Sequence, residues 1–138
     1  MKFVECQGTT DGLRDRFIGK PSDRIESYRD MYENCTIVLT NLEIVYLRPA
    51  HSSDYDLSFF ENIREVHGYV LVASNFVSRV PLTSLRVIRG RRLFKWPSQT
   101  DCEPQTSEPS RIYSLFVAGN INASVGLRSL ELPSFMGE

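Results

Sequence analysis

Residues 63–72 and 85–94 carry one pattern twice. Ile63-Arg64-Glu65-Val66-His67-Gly68-Tyr69-Val70-Leu71-Val72 aligns with Leu85-Arg86-Val87-Ile88-Arg89-Gly90-Arg91-Arg92-Leu93-Phe94 at an offset of 22 residues. Each copy runs from an apolar residue through charged positions to a glycine, then into a strand-like stretch. A third, looser echo is Leu127-Arg128-Ser129-Leu130-Glu131-Leu132-Pro133. A period of about 20–30 residues is the mark of a solenoid. One such unit cannot bury its apolar face alone, but stacked units share a core and add strands edge to edge. Gly68 and Gly90 stand where the chain turns a corner, and the missing Cβ suits that place.

The flanking sequence reads as a mostly β single domain over 1–138 with one helix. Pro21 and Ser22 open a helix at about Asp23 to Glu33, with Ser22 or Asp23 available to cap it. Ile25, Tyr28, Met31 and Tyr32 recur near a period of 3.6 and form an apolar stripe, read as core packing. Thr36-Ile37-Val38-Leu39 and Asn41 to Leu47 are β-branched, aromatic and partly alternating, so they read as strands. Arg48 to Asp56 reads as a loop, and Ile112 to Ala118 returns to a strand. Residues 97–110 hold Pro97, Pro104 and Pro109 among polar residues. They read as an inserted flexible loop.

Composition narrows the function. The chain is 41% hydrophobic and 24% charged with a net charge of −1. That is an ordinary globular balance, with no footprint for nucleic acid. No apolar run reaches the roughly 20 residues that span a bilayer. The start, Met1 to Cys6, is not a signal peptide. Of the three cysteines, Cys6, Cys35 and Cys102, two can pair and one is left over. Cys102 can be a free thiol or can pair outside the chain. No C-x-x-C spacing is present, so no zinc or redox site is expected. Asn34-Cys35-Thr36 and Asn122-Ala123-Ser124 are glycosylation sequons, relevant only to a secreted chain.

Catalytic chemistry is absent from the sequence. His51 and His67 lack a metal-ligand partner at short spacing. No phosphate-cradling glycine loop, nucleophile elbow or kinase signature occurs. Asp54 and Asp56 are candidate carboxylates for sugar cleavage, but aspartates in a turn-rich stretch are better read as turn residues. No cofactor and no metal are expected.

Several stretches together match a known pattern. They are Cys6-Gln7-Gly8-Thr9 with Leu13; Met31-Tyr32-x-Asn34-Cys35; Asn41-Leu42-Glu43-Ile44; and Tyr55-Asp56-Leu57-Ser58-Phe59. Ile63-x-Glu65-Val66-x-Gly68-Tyr69-Val70-Leu71 and Arg79-x-Pro81-Leu82-x-x-Leu85-x-x-Ile88-Arg89-Gly90 follow in order. This string resembles the first L domain of the epidermal growth factor receptor family, from Cys6 to about Phe94 and more loosely to Pro133. The insulin-receptor family shares Asn34-Cys35-Thr36 and Arg89-Gly90-x-x-Leu93-Phe94, but not Gln7-Gly8-Thr9 or Asp56-Leu57-Ser58-Phe59, and ranks second. The resemblance implies a short right-handed parallel β-helix, leucine-rich-repeat-like, capped by the N-terminal helix. It implies a Cys6–Cys35 disulfide and an address on the extracellular face of the plasma membrane, or secretion. It also implies a growth-factor-like protein partner, neighbouring receptor domains, and a parent that is a receptor protein-tyrosine kinase. The family's L domain continues past Glu138, so the domain is expected to be incomplete at that end. The missing signal peptide then points to a piece of a longer protein. Rival readings are a secreted decoy and a purely supporting domain.

In that family the open sheet face contacts the ligand. Leu13 and Tyr46 keep the family's contact residue types. Asp15 stands where the vertebrate receptor has an amide, Ser74 where it has a leucine, and Lys95 where it has an acid. These departures put a vertebrate-type ligand in doubt. The basic cluster Arg86, Arg89, Arg91, Arg92 and Lys95 reads as a solvated edge in preference to a site for an acidic partner or sulfated glycan.

Overall fold

A computed structural model describes residues 2–15, 17–48, 56–77, 79–96, 111–120 and 129–131. The chain opens on β1 (Glu5–Cys6) and passes through α1 (Pro21–Tyr32). It then lays down β2 (Ile37–Val38), β3 (Leu42–Val45), β4 (Glu65–Val66), β5 (Val70–Ala73), β6 (Arg79–Pro81), β7 (Val87–Ile88) and β8 (Phe94–Trp96). β9 (Arg111–Tyr113), β10 (Leu115–Ala118) and β11 (Ser129–Glu131) follow. The fold is mostly β with one α-helix. Residues 97–110, with Cys102, lie outside the described residues, as do His51, Asp54 and Asn122.

The helix starts two residues earlier than its sequence suggests. Lys20 is the N-cap and Pro21 takes the first helical position, where its missing N–H costs nothing. Ser22 does not cap, but Asp23 does so from the third helical position: its carboxylate accepts a hydrogen bond from the Lys20 amide at 3.0 Å. The stripe faces inward as expected: Ile25, Tyr28 and Tyr32 are buried and Met31 packs beside them.

Two parallel sheets carry the architecture. The first has the order β1-β2-β4-β7, with Glu5, Ile37, Glu65 and Val87 in register. Its last step, Glu65 to Val87, is the 22-residue offset of the repeat. The second has the order β10-β5-β3, with Leu42, Val70 and Leu115 in register. Parallel strands need long crossovers, and the corners, α1 and a 3-10 turn at Ser58–Phe60 supply them. Leu42, Ile44, Val70 and Val72 of the second sheet point into one core with Val38, Val66, Leu82 and Leu85. Tyr28, Tyr32, Phe59 and Phe60 close one end of that core with ring centroids 4.5–6.0 Å apart. Burying a side chain of this size contributes about 1.5–3 kcal/mol. Leu57 and Phe59 are therefore core residues, and Asp56 does turn work, accepting the Ser58 amide at 3.0 Å.

The repeat ends at its second glycine. The Gly90 N–H donates to the Gly68 carbonyl at 3.0 Å, so the two corners stack. Beyond them the copies part. Val70 to Ala73 do not lie beside residues 92–95; their further partner is β10, and β8 instead pairs antiparallel with β9. Residues 91–113 thus intervene between the corner and the strand that completes the sheet. The third echo is also out of phase. It would set Ser129 level with Val87, whereas Ser129 pairs with Arg79 and Leu130 with Val80, joining β11 to β6.

Candidate functional site

Strand alternation divides the second sheet into two faces. Opposite the core, Val45, Leu71 and Ala73 form a second apolar cluster with Tyr69 and Phe94, flanked by Leu13, Tyr46 and Phe116. Glu43 lies on this side too, only 2% exposed. A buried carboxylate is costly unless donors surround it. Here Thr9 Oγ1 donates at 2.5 Å, the Asp11 amide at 2.8 Å and the Gly12 amide at 2.7 Å, and the Tyr69 hydroxyl donates as well. Burial and this donation to Glu43 push the Tyr69 phenol above its ordinary range. The carboxylate pins residues 9–12 across the sheet, and Leu13 follows onto the apolar face.

Tyr46 follows β3 in the left-handed region, φ 59°. Ser74 and Gly119 take the same conformation directly after β5 and β10, φ 57° and 63°. The three are neighbours on successive rungs, since the residues before them pair as Val45, Ala73 and Ala118. Behind that corner Asn75, fully buried, accepts from the Leu47 amide at 3.1 Å and donates to the Ile44 carbonyl at 2.8 Å. Asn120 continues the line, accepting from the Asn75 side chain at 2.9 Å. The amides hold the corner, and the corner fixes where Tyr46 and Ser74 emerge.

The Tyr46 hydroxyl donates to the Leu13 carbonyl at 2.5 Å. Arg24 of α1 lies 5.7 Å from the Tyr46 ring centre and 4.7 Å from that of Phe17, and binds Asp15 at 2.5 Å. Tyr46, far from Leu13 and Asp15 in sequence, thus forms one cluster with them, joined through Arg24 and the Leu13 carbonyl. Ser74 stands one rung away. Lys95 does not join them: it lies between Phe94 and Trp96 on β8, so its side chain projects to the opposite side from those rings.

The larger part of this face is aromatic. Phe94 sits 4.9 Å from Phe116 and 5.6 Å from Tyr69, centre to centre. Trp96 and Tyr113 lie 5.8 and 5.1 Å from Phe116. Trp96 keeps 43% of its surface exposed. The sequence reading missed Trp96, Tyr113 and Phe116 as a group, because the antiparallel β8–β9 pair that gathers them is set by long-range pairing. It also missed Glu43. One signal was there: a lone charge in Leu42-Glu43-Ile44-Val45, whose four residues are all buried.

Elsewhere, Cys6 and Cys35 are bonded with Cα atoms 5.8 Å apart. Asn34 is exposed, at φ 62°. Among the described residues no cluster of histidine, cysteine or carboxylate side chains could hold a metal ion, and no helix is long and apolar enough to cross a membrane.

Residues 34–100 match the family model for the receptor L domain. The chain is 44% identical over 89 residues to the "Epidermal growth factor receptor" of Gallus gallus, covering 64% of this chain and 12% of that protein. It is 42% identical over 90 residues to the "Receptor tyrosine-protein kinase erbB-2" of Rattus norvegicus, and 41% over 90 to the "Melanoma receptor tyrosine-protein kinase" of Xiphophorus maculatus. Each of those two matches covers 65% of this chain and 7% of the relative. The matched stretch is thus about a tenth of the relatives' length, or less.

Proposed function

This chain carries a receptor L domain of the epidermal growth factor receptor family, and from that premise we propose that its aromatic face is one wall of a binding site for an extracellular growth-factor-like protein. The observation that carries the reading is the continuous apolar surface from Leu13 and Tyr46 through Phe94 and Phe116 to the half-open Trp96. Aromatic side chains set in a partly buried apolar surface are the usual anchors of protein interfaces. The site lies on a sheet rather than a mobile loop, so little order need be lost on binding.

We read the parallel ladders as a short right-handed β-helix. Stacked parallel strands in constant register, with corners at Gly68 and Gly90, support this, and crossovers between parallel strands are overwhelmingly right-handed. The parent is read as a receptor tyrosine kinase with this domain outside the cell, where the Cys6–Cys35 bond is stable. There Asn34 and Asn122 are acceptors for N-linked glycans. Ser74 and Asp15 tune partner choice. Asp15 does so indirectly, because Arg24 already engages its carboxylate. Lys95 belongs to a second contact, reached by a partner that extends past the aromatic face.

One half of a two-sided clamp binds weakly, because the gain from linked surfaces is lost when one is absent. Titration of growth-factor-class proteins onto the chain tests the reading. Trp96→Ala and Tyr46→Ala should each weaken binding about tenfold or more. Equal binding by both variants and the parent would remove this face from the site. That result would favour a supporting role for the domain, for which the internal use of the Tyr46 hydroxyl and the Asp15 carboxylate already argues.

A further inference from the structure

The basic cluster at the second corner has an order that the fold itself does not use. Arg89-Gly90-Arg91-Arg92 sets arginines at the first, third and fourth of four consecutive positions, and Leu93 follows. Arg89, Arg91, Arg92 and Leu93 are all exposed, Leu93 at 40%. They lie between β7 and β8, and the chain bends at Arg91 and Arg92. In the first copy of the repeat the matching residues are Tyr69 and Val70, both buried. The arginine pair therefore stands where the chain leaves the stack.

The backbone is weakly held there. The Gly90 and Arg91 amides donate to the Gly68 and His67 carbonyls, each at 3.0 Å. Among the described residues no further backbone hydrogen bond is made until β8 starts at Phe94. The Arg92–Leu93 peptide thus lies in a gap between the last bond of the corner and the buried ring of Phe94. Arg89 is engaged by Glu65, whereas no ion pair holds Arg91 or Arg92 among the described residues. Exposed stretches with few backbone bonds open locally at low cost, and such stretches are where proteases cut.

We infer that the Arg92–Leu93 bond is a processing site for a serine endoprotease of the secretory pathway that reads paired arginines. Such an enzyme seats an extended segment in a cleft lined with carboxylates, which grip guanidinium groups through paired hydrogen bonds. Arg92 fills the pocket at the cut, and Arg91 and Arg89 fill the pockets one and three residues before it. Arg89 must first leave Glu65. Water adds across the Arg92–Leu93 peptide bond, leaving a carboxylate on Arg92 and an amine on Leu93. The Cys6–Cys35 bond lies wholly in the first piece, and Cys102, the remaining cysteine, has no partner left in the chain. Cleavage thus puts Leu13, Tyr46 and Ser74 on one piece and Phe94, Trp96 and Phe116 on the other, with no covalent tie. The cut does not depend on growth-factor binding; only its consequence, loss of a face built from both pieces, rests on that reading.

The test is incubation of the full, disulfide-bonded chain, exported to the bacterial periplasm, with the convertase furin, read by intact mass. Pieces 1–92 and 93–138 are expected. Arg92→Gln should abolish the cut, and Arg89→Gln should slow it about tenfold. Glu65→Gln, which releases Arg89, should speed it about two- to fivefold. Arg92 is exposed, so an unchanged denaturation midpoint confirms that its variant folds. If exposure alone decided the cut, Arg89→Gln would speed it as Glu65→Gln does, and that result would overturn the choice of enzyme. A folded chain left intact while the reduced, unfolded chain is cut at Arg92–Leu93 would overturn the inference by showing the corner closed. No cut in either would overturn the recognition of the arginines. Production of both pieces with the growth-factor binding of the uncut chain preserved would overturn the consequence alone.

Discussion

Gly68 and Gly90 occupy stacked corners for different physical reasons. A Cβ on Gly68 would meet Asn41 Oδ1 at 1.9 Å and the Thr40 carbonyl at 2.7 Å. Gly90 has room, its nearest atoms being 3.5 Å away, but its φ of +65° penalises any side chain. Gly68→Ala should therefore cost about 3 kcal/mol by overpacking, and Gly90→Ala only about 1 kcal/mol through backbone strain. Denaturant titration of the two variants checks the order, and the reverse order would contradict the crowding at Gly68. Glu43 makes the second residue-scale case. Glu43→Gln keeps the shape but offers one carbonyl oxygen where two carboxylate oxygens served four donors. A loss of about 2–3 kcal/mol is expected. Weaker growth-factor binding should accompany it as residues 9–13 loosen; a stability unchanged from the parent would show the carboxylate to be dispensable.

Helix α1 works as an edge cover. β3 ends its sheet, and an open edge invites pairing with foreign strands. Tyr28 closes it: its hydroxyl accepts from the Val45 amide at 3.1 Å and donates to the Val45 carbonyl at 3.3 Å. Tyr28→Phe should cost about 1–2 kcal/mol and speed hydrogen exchange at the Val45 amide while leaving the apolar stripe in place. Unchanged exchange there would mean that another group satisfies the strand. The sequence shows the stripe, because a helix repeats its face every 3.6 residues. It does not show that a stripe tyrosine also serves a strand, since that depends on where α1 docks.

For the whole molecule, burial of tyrosines in both apolar clusters sets the response to alkaline pH. Burial raises the phenols of Tyr28, Tyr32 and Tyr69 above the ordinary 10.0. A group whose folded pKa is raised favours the unfolded state once it can ionise there. The stability these phenols contribute is complete below pH 10 and is lost as pH climbs beyond it. Phenolate absorbance should thus rise for these three only together with loss of tertiary structure. Ionisation of all six tyrosines in the intact fold would show that they are not buried.

The sequence by itself determined the phase of the two glycine corners, the inward face of α1, the strands at Ile37–Val38 and Leu42–Val45, and the resemblance to the epidermal growth factor receptor family. Each is written in neighbouring residues or in a fixed offset, and local backbone preference needs no distant partner. The residues left open which cysteines join, and only the resemblance pointed to Cys6 and Cys35. Tertiary structure alone decided that β10 completes the second sheet, that β11 joins β6, that Glu43 gathers Thr9, Asp11, Gly12 and Tyr69, and that Lys95 faces away from the aromatic surface. These depend on which segment returns beside which strand edge. An intervening stretch such as 91–113 changes that partner without altering the local pattern on either side.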